Sequence, residues 1–264
     1  MSSDDILTLP PPPADARIRY GTDPNQFFDL RLPSSGHSRD AKSGKSSPLV
    51  INIHGGFWRS RYSLDHSGHM CAALTAKGIA TANLEYRRVG NDGGGWPGTF
   101  DDIRKAYSVL AQNEQHHNFD LKKLLVMGHS AGGQLALCLS AHESGVQKAI
   151  SLAGVLDLKR ACELHLSNDA VEEFLGGTPS QVSEHYREAD PMQLSIPHAT
   201  QVLIHGSADD IVRVDFSRDY VAAKHKQKEN VELCEISGAG HFDLIDPRSP
   251  AWKTVEQSVL QLLD

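Results

Sequence analysis

The sequence has 264 residues, enough for one α/β domain with a substantial core, and it shows no internal repeat and no need for a second domain. Hydrophobic residues make up 39% and charged residues 22%, which is typical of a soluble globular protein. The net charge of -7 argues against a nucleic acid as the partner and favours a small-molecule ligand.

The N-terminal region carries no export or membrane signal. Met1-Ser2-Ser3-Asp4-Asp5 has no basic region, and no stretch of the sequence approaches the length of a membrane span. We therefore expect a cytoplasmic protein without membrane contact. Residues 1–15 are acidic and then proline-rich, which predicts a flexible leader without regular structure. Residues 16–264 are predicted to form the single domain.

Apolar runs along the rest of the chain predict strands that alternate with helices. The strands are expected near residues 16–20, 26–32, 48–54, 79–84, 124–129, 149–153, 201–205 and 231–236. The helices are expected near 67–77, 99–113, after 130, 214–226 and 250–263. A polar stretch from Pro33 to Ser47 reads as a solvated loop. This order predicts an α/β fold with a mostly parallel eight-stranded sheet and helices on both faces.

The segment from Asp157 to Asp190 is more irregular than the rest. It contains short helical patterns at Ala170 to Leu175 and Pro179 to Ala189. We expect a small lid insertion that covers the site and contributes to a substrate pocket.

A sharp turn between a buried strand and a helix is predicted at Gly128-His129-Ser130-Ala131-Gly132. To point a serine hydroxyl out of the top of a sheet, the backbone must adopt an unfavourable conformation, and the residues two before and two after it must be small. Gly128 and Gly132 meet that need. The helix that follows presents free N–H groups and the positive end of its dipole, which stabilise a developing negative charge. The pattern favours acyl transfer with Ser130 as the nucleophile.

Two later strands end in residues that complement a serine nucleophile. Such a hydroxyl needs a base, and His241, in a glycine-containing loop, is the candidate. A third group must hold the imidazole in the correct tautomer. Asp209 is the candidate because the loop His205-Gly206-x-x-Asp places it just past a strand, whereas Asp210 is assigned a capping or surface role.

The stretch His54-Gly55-Gly56-Phe57-Trp58 follows another buried strand and offers further backbone donors. Glycines let a chain approach a substrate oxygen closely, so the N–H groups of Gly56 and Phe57, with that of Ala131, are predicted to form an oxyanion hole. Trp58, Trp96 and His129 are candidates for the substrate pocket, with burial in the core as the alternative for the aromatic residues.

The sequence contains 14 histidines, which raises the question of a metal site. His66 and His69 lie close together beside Asp65, but no His-Glu-x-x-His motif is present. We expect surface or capping roles for these residues and no metal.

Taken together, these motifs resemble the α/β-hydrolase superfamily from about Arg17 to the C-terminus. The turn at Ser130 is similar to the nucleophile turn of that superfamily, and His54-Gly55-Gly56 is similar to the oxyanion motif of its hormone-sensitive-lipase-like and acetyl-esterase branches. Phe57 stands where a third glycine often occurs, which leaves the donor pair open.

Two groups of relatives match different details. Tyr86-Arg87 and Trp96-Pro97 resemble compact bacterial acetyl- and feruloyl-esterases, and His54 to Trp58 satisfies the His-Gly-Gly-x-Trp pattern of kynurenine formamidases. The resemblance implies hydrolysis through an acyl-enzyme by Ser130, His241 and Asp209, without a metal or an organic cofactor.

The expected function is cleavage of a small-molecule carboxylic ester with a short acyl group. An arylformamidase acting on N-formyl-kynurenine is the alternative within the superfamily. From other classes, a non-catalytic binding protein and a metallohydrolase remain as alternatives. The oligomeric state is open, with a homodimer as one alternative.

Overall fold

The computed structural model describes residues 3–33, 46–114 and 119–264. The predicted loop from Pro33 to Ser47 lies mostly outside these residues. The strands are β1 Ala16–Arg19, β2 Phe27–Arg31, β3 Ser47–Ile53, β4 Ala80–Leu84, β5 Phe119–His129, β6 Lys148–Leu152, β7 Thr200–Gly206 and β8 Val231–Ile236. The described α-helices are α1 Gly68–Thr75, α2 Gly98–Gln112, α3 Ala131–His142, α4 Leu158–Glu163, α5 Ala170–Leu175, α6 Ser183–Ala189, α7 Asp215–Lys226 and α8 Trp252–Leu263. Short 3-10 helices occupy Ser3–Leu7, Leu64–Ser67 and Phe242–Leu244.

The strands form one sheet in the order β1-β2-β4-β3-β5-β6-β7-β8. The pairs β1–β2 and β2–β4 are antiparallel, and the remaining pairs are parallel. The mostly parallel eight-stranded sheet predicted from the sequence is therefore confirmed. Parallel strands direct their carboxyl ends to one edge, so the loops after β3, β5, β7 and β8 meet there.

The central strands are apolar because helices cover both faces of the sheet. Along β3, Leu49, Ile51 and Ile53 belong to a core that includes residues of α2 and α3, whereas Val50 belongs to a second core with residues of α1 and α8. Alternate side chains of a strand point to opposite faces, which accounts for this division. The sheet is thus held from both sides, and the loops at its edge start from fixed positions.

The N-terminal residues differ from the predicted flexible leader. Residues 3–7 form a 3-10 helix, and Ile6 is buried in the core that also contains Met70 and Trp252. Farther along, the guanidinium of Arg31 donates a hydrogen bond to the carbonyl of Pro12 at 2.7 Å. The prediction was wrong for this helix because it relied on local composition and missed the long-range burial of one apolar side chain.

The 157–190 insertion contains α4, α5 and α6. It is fixed to the loop after β3, since the ring of Phe174 stacks on Trp58 with centroids 4.6 Å apart and Arg59 pairs with Glu173 at 2.7 Å. The segment is therefore a packed part of the domain.

Candidate active site

Three loops at the carboxyl edge of the sheet bring the predicted triad residues together. Ser130 follows β5, Asp209 lies three residues after β7, and His241 lies in the loop after β8. Ser130 and His241 line one cavity, and the imidazole of His241 contacts the carboxylate of Asp209.

The backbone at Ser130 has φ 56° and ψ -120°, an unfavourable conformation for a residue with a side chain. The neighbouring glycines are needed because backbone segments cross at close range. A Cβ at Gly128 would lie 2.1 Å from the carbonyl oxygen of Gly132, and one at Gly132 would lie 2.0 Å from the carbonyl oxygen of Ile53. The turn holds the serine at the start of α3, as the sequence pattern indicates.

His241 and Asp209 form a short, buried hydrogen bond. Nδ1 of His241 lies 2.6 Å from Oδ2 of Asp209, and the N–H groups of Ile211 and Val212 donate to Oδ1 of the same carboxylate at 2.9 and 2.8 Å. Burial alone would raise the pKa of Asp209, but hydrogen bonds from His205 and His241 outweigh it and hold this pKa below its ordinary value. The carboxylate is therefore ionised at neutral pH.

The loop after β3 passes directly beside the serine. A Cβ at Gly55 would lie 3.0 Å from Cβ of Ser130, so the loop can approach this closely only with glycine there. Gly56, Phe57 and Trp58 have positive φ angles of 113°, 51° and 56°. Within the described chain, the N–H groups of Phe57 and Ala131 donate to no other protein group. These two donors remain available to a ligand at Ser130.

A buried ion-pair network holds this loop, and the sequence analysis missed it. Nε2 of His54 lies 3.0 Å from Oε1 of Glu85, and Nδ1 lies 2.7 Å from the carbonyl oxygen of Gly55. Both partners only accept hydrogen bonds, so each ring nitrogen of His54 lies where an N–H group can donate. Arg88 approaches the same carboxylate at 2.6 Å, and the N–H of Leu64 donates to it at 3.1 Å. The position of Glu85, directly after a strand, was the available signal.

The cavity at Ser130 is small, with a volume of about 70 Å³, and mostly apolar. Its wall consists of Leu7, Gly56, Phe57, Tyr62, His66, His129, Ser130, Ile211, His241 and Phe242. Of the residues described, none from the 157–190 insertion belongs to this wall. The expectation that the insertion supplies the pocket is not met there, because its side chains pack against the loop after β3 and the N-terminal helix contributes Leu7 instead.

The predicted pocket residues have different positions. His129 lines the cavity, and its Nε2 lies 3.0 Å from the carbonyl oxygen of His241, an acceptor that fixes the proton on Nε2. Burial, followed by the neighbouring His241, holds the pKa of His129 well below its ordinary value. Trp58 is fully buried, and its indole N–H donates to Gln134 at 3.0 Å. Trp96 packs on Phe100 outside this wall. Assigning the two tryptophans to the pocket was wrong, because the turn after Gly56 directs Trp58 into the core.

Neither a metal cluster nor a membrane helix is found in the part of the chain that the structure describes. There, no group of three or more His, Cys, Asp or Glu side chains is arranged to hold a metal ion. No described helix is long and apolar enough to cross a membrane.

Comparison with known proteins places these features in a family. The sequence matches the BD-FAE family over residues 38–223, more than half of the chain. The isoprenylcysteine alpha-carbonyl methylesterase ICME of Arabidopsis thaliana is 24% identical over 254 residues, which cover 86% of this chain and 56% of that protein. The kynurenine formamidase of Danio rerio is 23% identical over 239 residues, with 87% and 75% covered. The chain thus spans little more than half of the plant relative.

Solved structures share the fold. Esterase B from Lactobacillus rhamnosis superposes with a TM-score of 0.80 at 19% identity, covering 99% of this chain and 90% of that chain. A truncated carbohydrate esterase from gut microbiota gives a TM-score of 0.78 at 17% identity, covering 95% and 99%. The predicted α/β-hydrolase fold is confirmed, and the chain belongs to the BD-FAE family of esterase-like α/β-hydrolases.

Proposed function

We propose that the chain is a serine carboxylesterase that cleaves small-molecule esters with short acyl groups through an acyl-enzyme. The observation that carries the proposal is that Ser130, with its strained backbone, shares one cavity with His241. Nδ1 of His241 is hydrogen-bonded to Asp209. In this assignment, Ser130, His241 and Asp209 are the nucleophile, the base and the group that orients the base.

The proposed reaction has two stages. Ser130 Oγ attacks the ester carbonyl carbon while Nε2 of His241 takes the hydroxyl proton, and that proton then goes to the departing alkoxide. Water next attacks the acyl-enzyme with His241 again as the base, which releases the acid. Backbone N–H groups of the oxyanion loop (Gly56 and Phe57) and of Ala131 stabilise the negative oxygen. Removal of one such donor typically costs about 2.7–4 kcal/mol of transition-state stabilisation.

The preference for short acyl groups rests on the small volume of the cavity at Ser130, about 70 Å³, whose wall includes Leu7 and Phe242. Ester hydrolysis is supported by the match to the BD-FAE family, which covers residues 38–223 of the chain. A cytoplasmic location is proposed with this function, and a small molecule is the proposed partner.

A second candidate is hydrolysis of an aryl formamide. It is favoured by the kynurenine formamidase of Danio rerio, which is 23% identical to this chain in an alignment that covers 87% of it. The formyl group is the smallest acyl group, so the small cavity is compatible with it.

Steady-state rates on p-nitrophenyl acetate, p-nitrophenyl octanoate and N-formyl-kynurenine test both candidates. We expect the acetate to be cleaved fastest and Ser130→Ala to lower kcat about 10⁴-fold or more. Asp209→Asn should also lower kcat strongly, whereas Asp210→Asn serves as the matched control and should not. A preference for N-formyl-kynurenine would establish the formamidase, and ester cleavage that survives Ser130→Ala would refute the triad.

A further inference from the structure

His66 lies in the wall of the catalytic cavity, and the reaction described above gives it no role. It belongs to the 3-10 helix Leu64–Ser67 and shares the cavity with Ser130 and His241. The residue is only 6% exposed, so it is a deeply placed polar side chain in a mostly apolar cavity.

Within the described chain, the backbone carbonyl of Ser63 is the one polar partner that the ring of His66 meets, and no side chain bonds to it. Neither of its nitrogens is among the fully enclosed atoms without a partner there, in contrast to Nε2 of His69. His66 forms part of the wall of the cavity at Ser130. A buried polar side chain that borders a cavity can bind a polar group of the molecule that enters it.

The protonation state of His66 defines what it can bind. Burial, followed by the neighbouring His54, lowers the pKa of His66 to about 3, so the ring is neutral at pH 7. A neutral imidazole has one N–H and one lone pair. The backbone carbonyl of Ser63 faces the ring and favours the proton on the nitrogen beside it. The lone pair on the other nitrogen is left for the cavity.

We propose that His66 is a specificity-determining residue that accepts a hydrogen bond from a hydroxyl or N–H group of the substrate close to the scissile carbonyl. The inference rests on the proposed function, because it concerns the substrate of that same site. The substrate class is an ester or formamide that carries such a donor, for example a partly acylated polyol or an N-aryl formamide. A substrate without the donor leaves the lone pair of His66 unpaired in a desolvated site, which lowers its kcat/KM.

Matched substrates test this on the wild-type protein. On the alcohol side, 2-hydroxyethyl acetate is compared with propyl acetate and with 2-methoxyethyl acetate, which has an acceptor but no donor. On the acyl side, ethyl 3-hydroxybutyrate is compared with ethyl butyrate. We expect kcat/KM to favour the hydroxylated member of at least one pair by about threefold to tenfold. No preference in either pair, or an equal gain with the methoxy ester, would overturn the proposal.

Variants then assign the preference to His66. His66→Phe, which fills the space without an acceptor, should abolish the preference, and His66→Gln, which keeps an acceptor oxygen, should retain part of it. Leu7→Ala changes an apolar part of the same wall and should alter both members of a pair by the same factor. A preference that persists in folded His66→Phe would overturn the assignment. If His66→Phe does not fold, the ratio of kcat/KM within each substrate pair is compared between wild type and His66→Gln. An unchanged ratio in His66→Gln would then overturn the assignment.

The two proposals fail differently. If Ser130→Ala leaves hydrolysis intact, the proposed function fails. If Ser130→Ala abolishes hydrolysis but the hydroxyl preference is absent or independent of His66, only the inference about His66 fails.

Discussion

Replacement of Glu85 by glutamine should destabilise the protein strongly, although the two side chains have nearly the same shape. The carboxylate lies between His54 at 3.0 Å and Arg88 at 2.6 Å, and all three residues are buried. Glu85→Gln removes the negative charge and leaves the buried guanidinium of Arg88 without it. Breaking a buried ion pair by removing one partner costs about 3–5 kcal/mol, and we expect a loss of that size in the free energy of unfolding.

Urea unfolding of the wild type and Glu85→Gln measures this loss. Glu235→Gln is the matched control, because Glu235 pairs with Arg218 at 2.6 Å on the surface, where solvent weakens the interaction. The control should change the free energy of unfolding much less. A loss below about 1 kcal/mol for Glu85→Gln would refute the view that this carboxylate neutralises the buried Arg88.

The pH dependence gives an independent check on the same group. Burial would raise the pKa of Glu85, but His54 and Arg88 outweigh it and lower this pKa in the folded state. A lowered folded pKa contributes stability that is present above the unfolded pKa of about 4.3 and is lost as the pH falls through the folded value. The difference between wild type and Glu85→Gln should therefore shrink as the pH falls below about 4.3.

Activity should fall as well, since His54 also holds the carbonyl of Gly55 at 2.7 Å. Without the carboxylate, the ring loses the partner that orients it, and its contact with the carbonyl of Gly55 weakens. We expect kcat on p-nitrophenyl acetate to fall about ten- to a hundredfold, less than the roughly 10²–10³-fold loss when an oxyanion donor is removed outright. An unchanged kcat in the folded variant would contradict a link between this ion pair and the loop.

Three further predictions concern the surroundings of the site. Leu7→Ala should enlarge the cavity and favour p-nitrophenyl butyrate over the acetate by about fourfold for each methylene group newly buried, and an unchanged ratio would contradict its place in the wall. His205→Phe removes the ring nitrogen that lies 3.3 Å from Asp209 and should lower kcat about tenfold with little change in KM. Asp210→Asn is the control and should leave both constants unchanged. Burial raises the pKa of Asp190 to about 6, so the stability that this residue provides should fall by roughly 2–4 kcal/mol as the pH rises from 4 to 7. Unfolding curves of Asp190→Asn should lack this loss, and equal pH slopes for both proteins would contradict it.

The sheet and the nucleophile turn could be predicted because the sequence determines them locally. Strands that are buried on both faces appear as continuous apolar runs, and β3 is buried along its whole length. The glycines at 128 and 132 are required by backbone contacts near 2 Å, so the requirement is visible in the motif itself. The roles of Ser130, His241 and Asp209 stay a proposal, although the structure brings these residues together.

The wall of the cavity could not be predicted, because it depends on contacts between distant segments. Leu7 reaches the site only because Ile6, one residue earlier, is buried against helices more than sixty positions away. In the sequence, Glu85 is an ordinary charged residue after a strand. Only the fold shows that the end of β4 places it beside His54. The side chain of Trp58 lies in the core and not in the pocket for a related reason. Its φ of 56° turns the backbone, so the side chain points away from the direction that an extended loop would give.

Of the four histidines around Ser130, two lie beside buried carboxylates of the described chain and two do not. His241 faces Asp209 and His54 faces Glu85, and the pKa of each carboxylate is lowered. His66 and His129 have no carboxylate partner among the described contacts, and burial lowers their pKa values instead. In the proposed reaction, a positive charge forms on His241 when it takes the serine proton, and a second charge on His129, with ring centroids 4.4 Å away, would oppose it. A neutral His129 therefore lets the base become charged, while its Nε2–H still holds the carbonyl of His241 in place.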